Sequence, residues 1–201
     1  WAGSGRKAPR AWAQPRRAKD RELARFDRAA FSKAISHELR ALTLFSSERL
    51  LPRLISDCAA HGVALVAERG LPKTRHYGAT AWFRNDQPMI VLSLRQKTND
   101  QLWWTFFHEA AHVILHAGRT FVDDKDAASE DAEREADDQA LEWLVGRDRF
   151  LAFKRTAPRS EAAVREFAHA SGIHPGIVVG LLQHEGALPF SHLNGLKDRI
   201  E

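Results

Sequence analysis

Residues 106–116 read FFHEAAHVILH: two histidines four apart, a glutamate directly after the first, in an otherwise apolar setting. This run constrains the fold more than any other. Trp103, Trp104, Phe106, Phe107, Val113, Ile114 and Leu115 give it apolar bulk on several faces. The pattern predicts a buried helix over about 100–116, capped by Thr98 or Asn99 and ended by Gly118. His108 and His112 are then one turn apart, so both imidazoles leave nearly the same face, about 6 Å apart along the axis. Two imidazoles and a carboxylate buried there need partners to offset desolvation, and a metal ion supplies them. Zinc takes imidazole nitrogen at about 2 Å and, in catalytic sites, keeps one of four positions for water. Glu109 stands beside that face, where its carboxylate can accept a proton from such a water. The competing reading is three polar residues gathered by chance on a core helix.

A third ligand has to come from elsewhere. The stretch EDAEREADDQALEWL at 130–144 predicts a second helix, from Ser129 to about Val145, that offers Glu130, Glu133 and Glu135. Glu133 and Glu135 point about 200° apart round a helix, so both cannot face one ion. His116 extends the histidine ladder, but it lies about 12 Å along the axis from His108 and cannot share an ion with both others. It reads as a helix-end residue that meets terminal carbonyls. The three-histidine pattern HExxHxxGxxH is absent, since Leu115 and Gly118 occupy its Gly and last His positions.

HExxH followed by E-x-x-A-D, beginning at Glu133, resembles the glutamate-ligand zinc metallopeptidases, the gluzincins. The resemblance implies Glu133 as third ligand, and Asp137 as the acceptor that orients one ligand histidine through its other ring nitrogen. HEAAHVILH, the acidic loop and EREADDQALEWLV together look like the ImmA/IrrE-like metallopeptidases. GIHPGIVVGLLQHEGALPFSHLNGLK resembles the C-terminal segment of members coupled to helix-turn-helix regulators, so the likeness covers about residues 47–197. Gln139 departs from the family pattern, standing where an aromatic is frequent.

This resemblance implies a zinc-dependent endopeptidase that cleaves or controls a partner protein, a helix-turn-helix repressor, in stress response, toxin–antitoxin modules or mobile elements. Glu109 would be its general base. Imidazole and carboxylate also suit Mn²⁺. A substrate strand could add to an edge of a small sheet at 89–93, and Tyr77 or His76 could supply a transition-state donor. Two rival readings remain open: a DNA-binding regulator, and a metal-dependent sensor that keeps the fold without proteolysis. FAHASGIHPGIVVGLLQHEG at 167–186 has helix-turn-helix spacing at Ala168, Gly172 and Val178, but its second helix offers no Lys or Arg and contains two glycines. The segment therefore reads as packing or partner docking, and any DNA contact would come through a missing or partner domain.

The remaining pattern predicts an α+β fold: mainly helical, a zincin-like core with a small antiparallel sheet, and a C-terminal helical segment. Helices are expected within 20–44, over 47–61 with Ser46 or Ser47 as cap, at 147–155, and as two short helices after Ser160. Strands are expected at 63–68, 78–83 and 89–93, with RNDQP at 84–88 turning the last two into an antiparallel pair. Three segments follow: a basic linker and helical head (1–45), the metallopeptidase domain (46–157) and the C-terminal helices (158–201). The net charge of +4 belongs to the head, where residues 1–40 carry eleven Lys and Arg against four acids. The single cysteine, Cys58, permits no internal disulfide, and no secretory signal or membrane-spanning run is visible, so a cytoplasmic setting is expected. Trp1 in place of Met suggests a trimmed N-terminus.

Overall fold

The computed structural model describes residues 23–45, 49–68, 77–83, 86–94, 98–118 and 127–200. The basic head 1–22, the expected caps Ser46 and Ser47, His76, and the polar stretch 119–126 lie outside the described residues.

Asp27 opens the first helix, α1 (Arg28–Ala34), by accepting the Ala30 N–H at 2.8 Å. The chain continues through a π turn, Ile35–Leu39, and a 3₁₀ turn, Leu42–Leu44, burying Phe31, Ile35 and Leu39. α2 (Leu50–Ala60) buries Leu50, Leu54 and Cys58 along one stripe, so the cysteine is packing material. Burial pushes its thiol upward, with Asp57 adding to the shift. Gly62 follows at φ 79°, and a side chain there would meet the Phe26 backbone at 2.5 Å. Both facts demand glycine.

The strands are β1 (Ala64–Glu68), β2 (Gly78–Phe83) and β3 (Gln87–Ser93), in the order β1-β3-β2. β2 and β3 pair antiparallel as expected, with Thr80 opposite Ile90. β1, however, runs parallel to β3, with Leu65 opposite Ile90, so the sheet is mixed and not purely antiparallel. Parallel pairing joins strands distant in sequence and leaves no turn signature between them. The order also corrects the expected docking strand. β3 is the central strand, hydrogen-bonded on both sides, and residues 89–93 have no edge for a peptide.

α3 (Asn99–Leu115) is the organising element and packs on β2, β3, α4 and α7. α4 (Ala127–Val145) meets it with Ala132, Ala136 and Ala140, small buried residues at helical spacing that let the two axes approach closely. Gly146, at φ 74°, turns the chain into α5 (Arg147–Arg155). Ser160 caps α6 (Glu161–Ser171), left-handed Gly172 ends it, and α7 (Pro175–His184) begins with Pro at its first position. α7 buries Ile177, Val178, Val179, Leu181 and Leu182, side chains that continue the core begun by Phe31.

The close approach of α7 to α3 depends on two glycines four apart. A side chain on Gly176 would lie 2.9 Å from Asn99 Oδ1, and one on Gly180 would lie 2.6 Å from Asp100 Cβ. The tail then fastens the start of α3. Asn99 N–H donates to the Asp198 carbonyl at 2.9 Å, Thr98 bridges Arg199, and Lys197 reaches Asp100 at 2.6 Å and Gln183 at 2.8 Å. Architecture is α+β, as the pattern predicts. Among the described residues, no helix is long and apolar enough to cross a membrane.

Candidate metal centre

α3 delivers His108 and His112 to one face, and α4 delivers Glu133 opposite them. The structure brings the three together. His108 Nε2 is 3.0 Å from Glu133 Oε2, His112 Nε2 is 3.3 Å from Glu133 Oε1, and the two Nε2 atoms are 3.0 Å apart. Three donors bound at about 2.0–2.1 Å to a tetrahedral ion would stand about 3.3 Å from one another. Each pair stands near that separation, although the two histidines face different oxygens of Glu133, and this triangle's two imidazoles and one carboxylate are donors that zinc accepts.

Charge follows the same geometry. Burial pulls the His108 imidazolium down, but hydrogen bonds to the Asp137 and Glu133 carboxylates outweigh it and hold this histidine at about 10. Burial lowers His112 and prevails over the neighbouring Glu133 carboxylate, with His108 also lowering it. The His108 ring and then the His112 ring, both beside it, hold the Glu133 carboxyl well below the usual carboxylate range. The cluster therefore attracts positive charge between two helices.

Asp137 Oδ1 lies 2.8 Å from His108 Nδ1, which leaves Nε2 turned toward Glu133. Glu135 stays outside the triangle, 3.1 Å from His116 Nε2. Glu130 is exposed and likewise takes no place in the triangle. His116 differs from its expected role. It is the C-cap of α3, but its buried ring meets His112 Nδ1 at 3.0 Å.

Glu109 is 6% exposed and lines the same cavity, of about 430 Å³, as the three donors. β2 fixes its carboxylate. The Thr80 hydroxyl, fully buried, donates toward Glu109 Oε2 at 2.7 Å and lies 3.0 Å from the Glu109 carbonyl oxygen. Gly78 leaves the space beside it, since a side chain there would meet Glu109 Oε1 at 2.5 Å. Neither residue follows from the motif. A lone threonine within GATAWF was the only hint in the sequence.

The cavity's other wall was also not anticipated. Trp104 of α3, Ile177 and Leu181 of α7, and Phe190 give it an apolar flank beside the polar cluster. Tyr77 lines the mouth as well. Because α7 is spent on this wall and on the core, it has no free face with which to enter a DNA groove.

A family model described as the IrrE N-terminal-like domain, a peptidase family, matches residues 58–176, a span running from the end of α2 into the start of α7 and containing both metal-site helices. No curated protein and no solved structure matches the chain.

Proposed function

Because the chain belongs to the IrrE N-terminal-like peptidase family, we propose that it is a zinc-dependent endopeptidase in which His108, His112 and Glu133 hold the ion and Glu109 is the general base. The observation that carries this reading is the convergence of three donors in a cavity whose wall also bears the Glu109 carboxylate. Bound zinc supplies Lewis acidity, which polarises a carbonyl and makes water acidic near neutral pH.

The side chains do the rest. Glu109 accepts the proton of the attacking water and afterwards delivers it to the leaving amine. Thr80, on Oε2, restricts the rotation of that carboxylate so that it meets the water in one orientation. Asp137 fixes the His108 ring. Tyr77, at the cavity mouth, is the candidate donor to the oxyanion that develops on the scissile carbonyl.

The substrate is a partner protein, and the class we favour is a helix-turn-helix repressor. Support comes from the resemblance of residues 172–197 to regulator-coupled members. Control of stress response, toxin–antitoxin modules or mobile elements follows from the same resemblance, and Mn²⁺ is the alternative metal. To test the reading, zinc content is measured in wild type and in His112→Ala, and cleavage of a co-encoded repressor is followed with wild type and Glu109→Gln. His112→Ala should lose zinc, whereas Glu109→Gln should keep zinc and lose cleavage by about 10²-fold or more. Cleavage indifferent to Glu109→Gln would remove the catalytic assignment, and full zinc in His112→Ala would remove the metal assignment.

A further inference from the structure

We propose that His116 and Glu135 form a hydrogen-bonded chain that sets the tautomer of His112, and so presents its Nε2 lone pair to the metal; this rests on the metal site proposed above. Glu135 Oε2 lies 3.1 Å from His116 Nε2, and His116 Nδ1 lies 3.0 Å from His112 Nδ1. Hydrogen-bond direction follows from donor chemistry. An ionised carboxylate only accepts, so His116 Nε2 carries the hydrogen. In a neutral imidazole the other nitrogen is then an acceptor, so His116 Nδ1 receives a hydrogen from His112 Nδ1. His112 is left with a bare Nε2, which is the atom facing Glu133 and His108 Nε2.

Each ligand histidine thereby gains an outer partner from α4. Asp137 holds His108 directly, and Glu135 holds His112 through the ring of His116. The two α4 acids are two residues apart and leave the helix in different directions. Only the second needs an extension, and His116 provides it because the helix stops there. As C-cap, with φ −120° and ψ 42°, it departs from helical geometry. Its ring comes within 5.1 Å of the His112 ring, centroid to centroid. His116 is 8% exposed, so the bond to His112 is shielded from water although Glu135 itself is exposed.

His116 and Glu135 are positioning residues, and zinc affinity is their readout, measured by chelator competition on the full chain. His116→Leu removes the acceptor and should weaken zinc binding about 10–100-fold, whereas His116→Asn, whose side-chain oxygen can accept from His112 Nδ1, should recover most of the loss. Glu135→Gln, which still accepts, should lie close to wild type, and Glu135→Leu should fall between. Unfolding of each variant in chelator separates this effect from general damage, since the affinity change should exceed any change in stability. Long-range ¹⁵N–¹H spectra of the imidazoles give a second readout: His112 should carry its proton on Nδ1. Unchanged zinc affinity in His116→Leu, or a His112 protonated on Nε2 alone, would overturn the proposal. A wild type that takes up no zinc would instead overturn the metal reading, and the tautomer read in the metal-free protein would still decide the direction of the chain.

Discussion

A single hydroxyl restrains the side chain on which the proposed chemistry turns. Thr80 is fully buried and bonds Glu109, so Thr80→Val keeps the shape and removes the donor. Losing a hydrogen bond to a charged group costs about 1.5–3 kcal/mol. The expected outcome is a kcat about tenfold lower or more, with KM little changed and zinc content intact, and Thr80→Ser restoring activity. His174 is tuned for a different end. Its Nδ1 accepts from the Gly176 N–H at 3.1 Å and the Asn99 amide at 2.8 Å, and its Nε2 faces Asp198 at 3.2 Å. A proton on Nδ1 would destroy both acceptances. Burial depresses its basicity, Asp198 opposes the shift and Arg165 adds to it. With the folded pKa below the unfolded value of about 6.5, this contribution is present above that value and is lost as pH falls through the folded pKa. Urea unfolding between pH 7.5 and 5 should therefore show stability falling on acidification. His174→Asn, which keeps a cap acceptor, should show a shallower fall.

At the scale of elements, α3 was legible because its apolar residues repeat at helical spacing, and the hairpin because RNDQP writes a turn between two apolar runs. The parallel β1–β3 pairing was not, since no local turn encodes it. Strand order was hidden for the same reason, and with it the central place of β3. Glu133 could be separated from Glu135 only by the order of letters that follows, whereas the structure separates them by which histidine each one meets. The contact between α7 and α3 was written in the sequence as GIVVG, but its meaning depended on which helix lay opposite. Gly180→Ala should cost about 1–3 kcal/mol, because its new methyl would lie 2.6 Å from Asp100 Cβ. Gly195→Ala, where nothing lies within 4 Å, is the control and should leave the urea midpoint nearly unchanged.

For the whole molecule, the proposed ion would tie α3 to α4, so binding and folding share one free energy. With free zinc at a hundred times its dissociation constant, the linkage is worth about 2.7 kcal/mol. For a chain of this length that corresponds to a Tm rise of about 5–10 °C. A chelator should remove this gain in wild type and change nothing in His112→Ala, as read by calorimetry. The tail has a different consequence, which concerns time. The start of α3 is fastened by Asn99, Asp100 and Thr98 to Asp198, Lys197 and Arg199, about a hundred positions later. Because synthesis is vectorial at about 5–20 residues per second, a nascent chain carries HEAAH for several seconds before the clasp on that helix emerges from the ribosome.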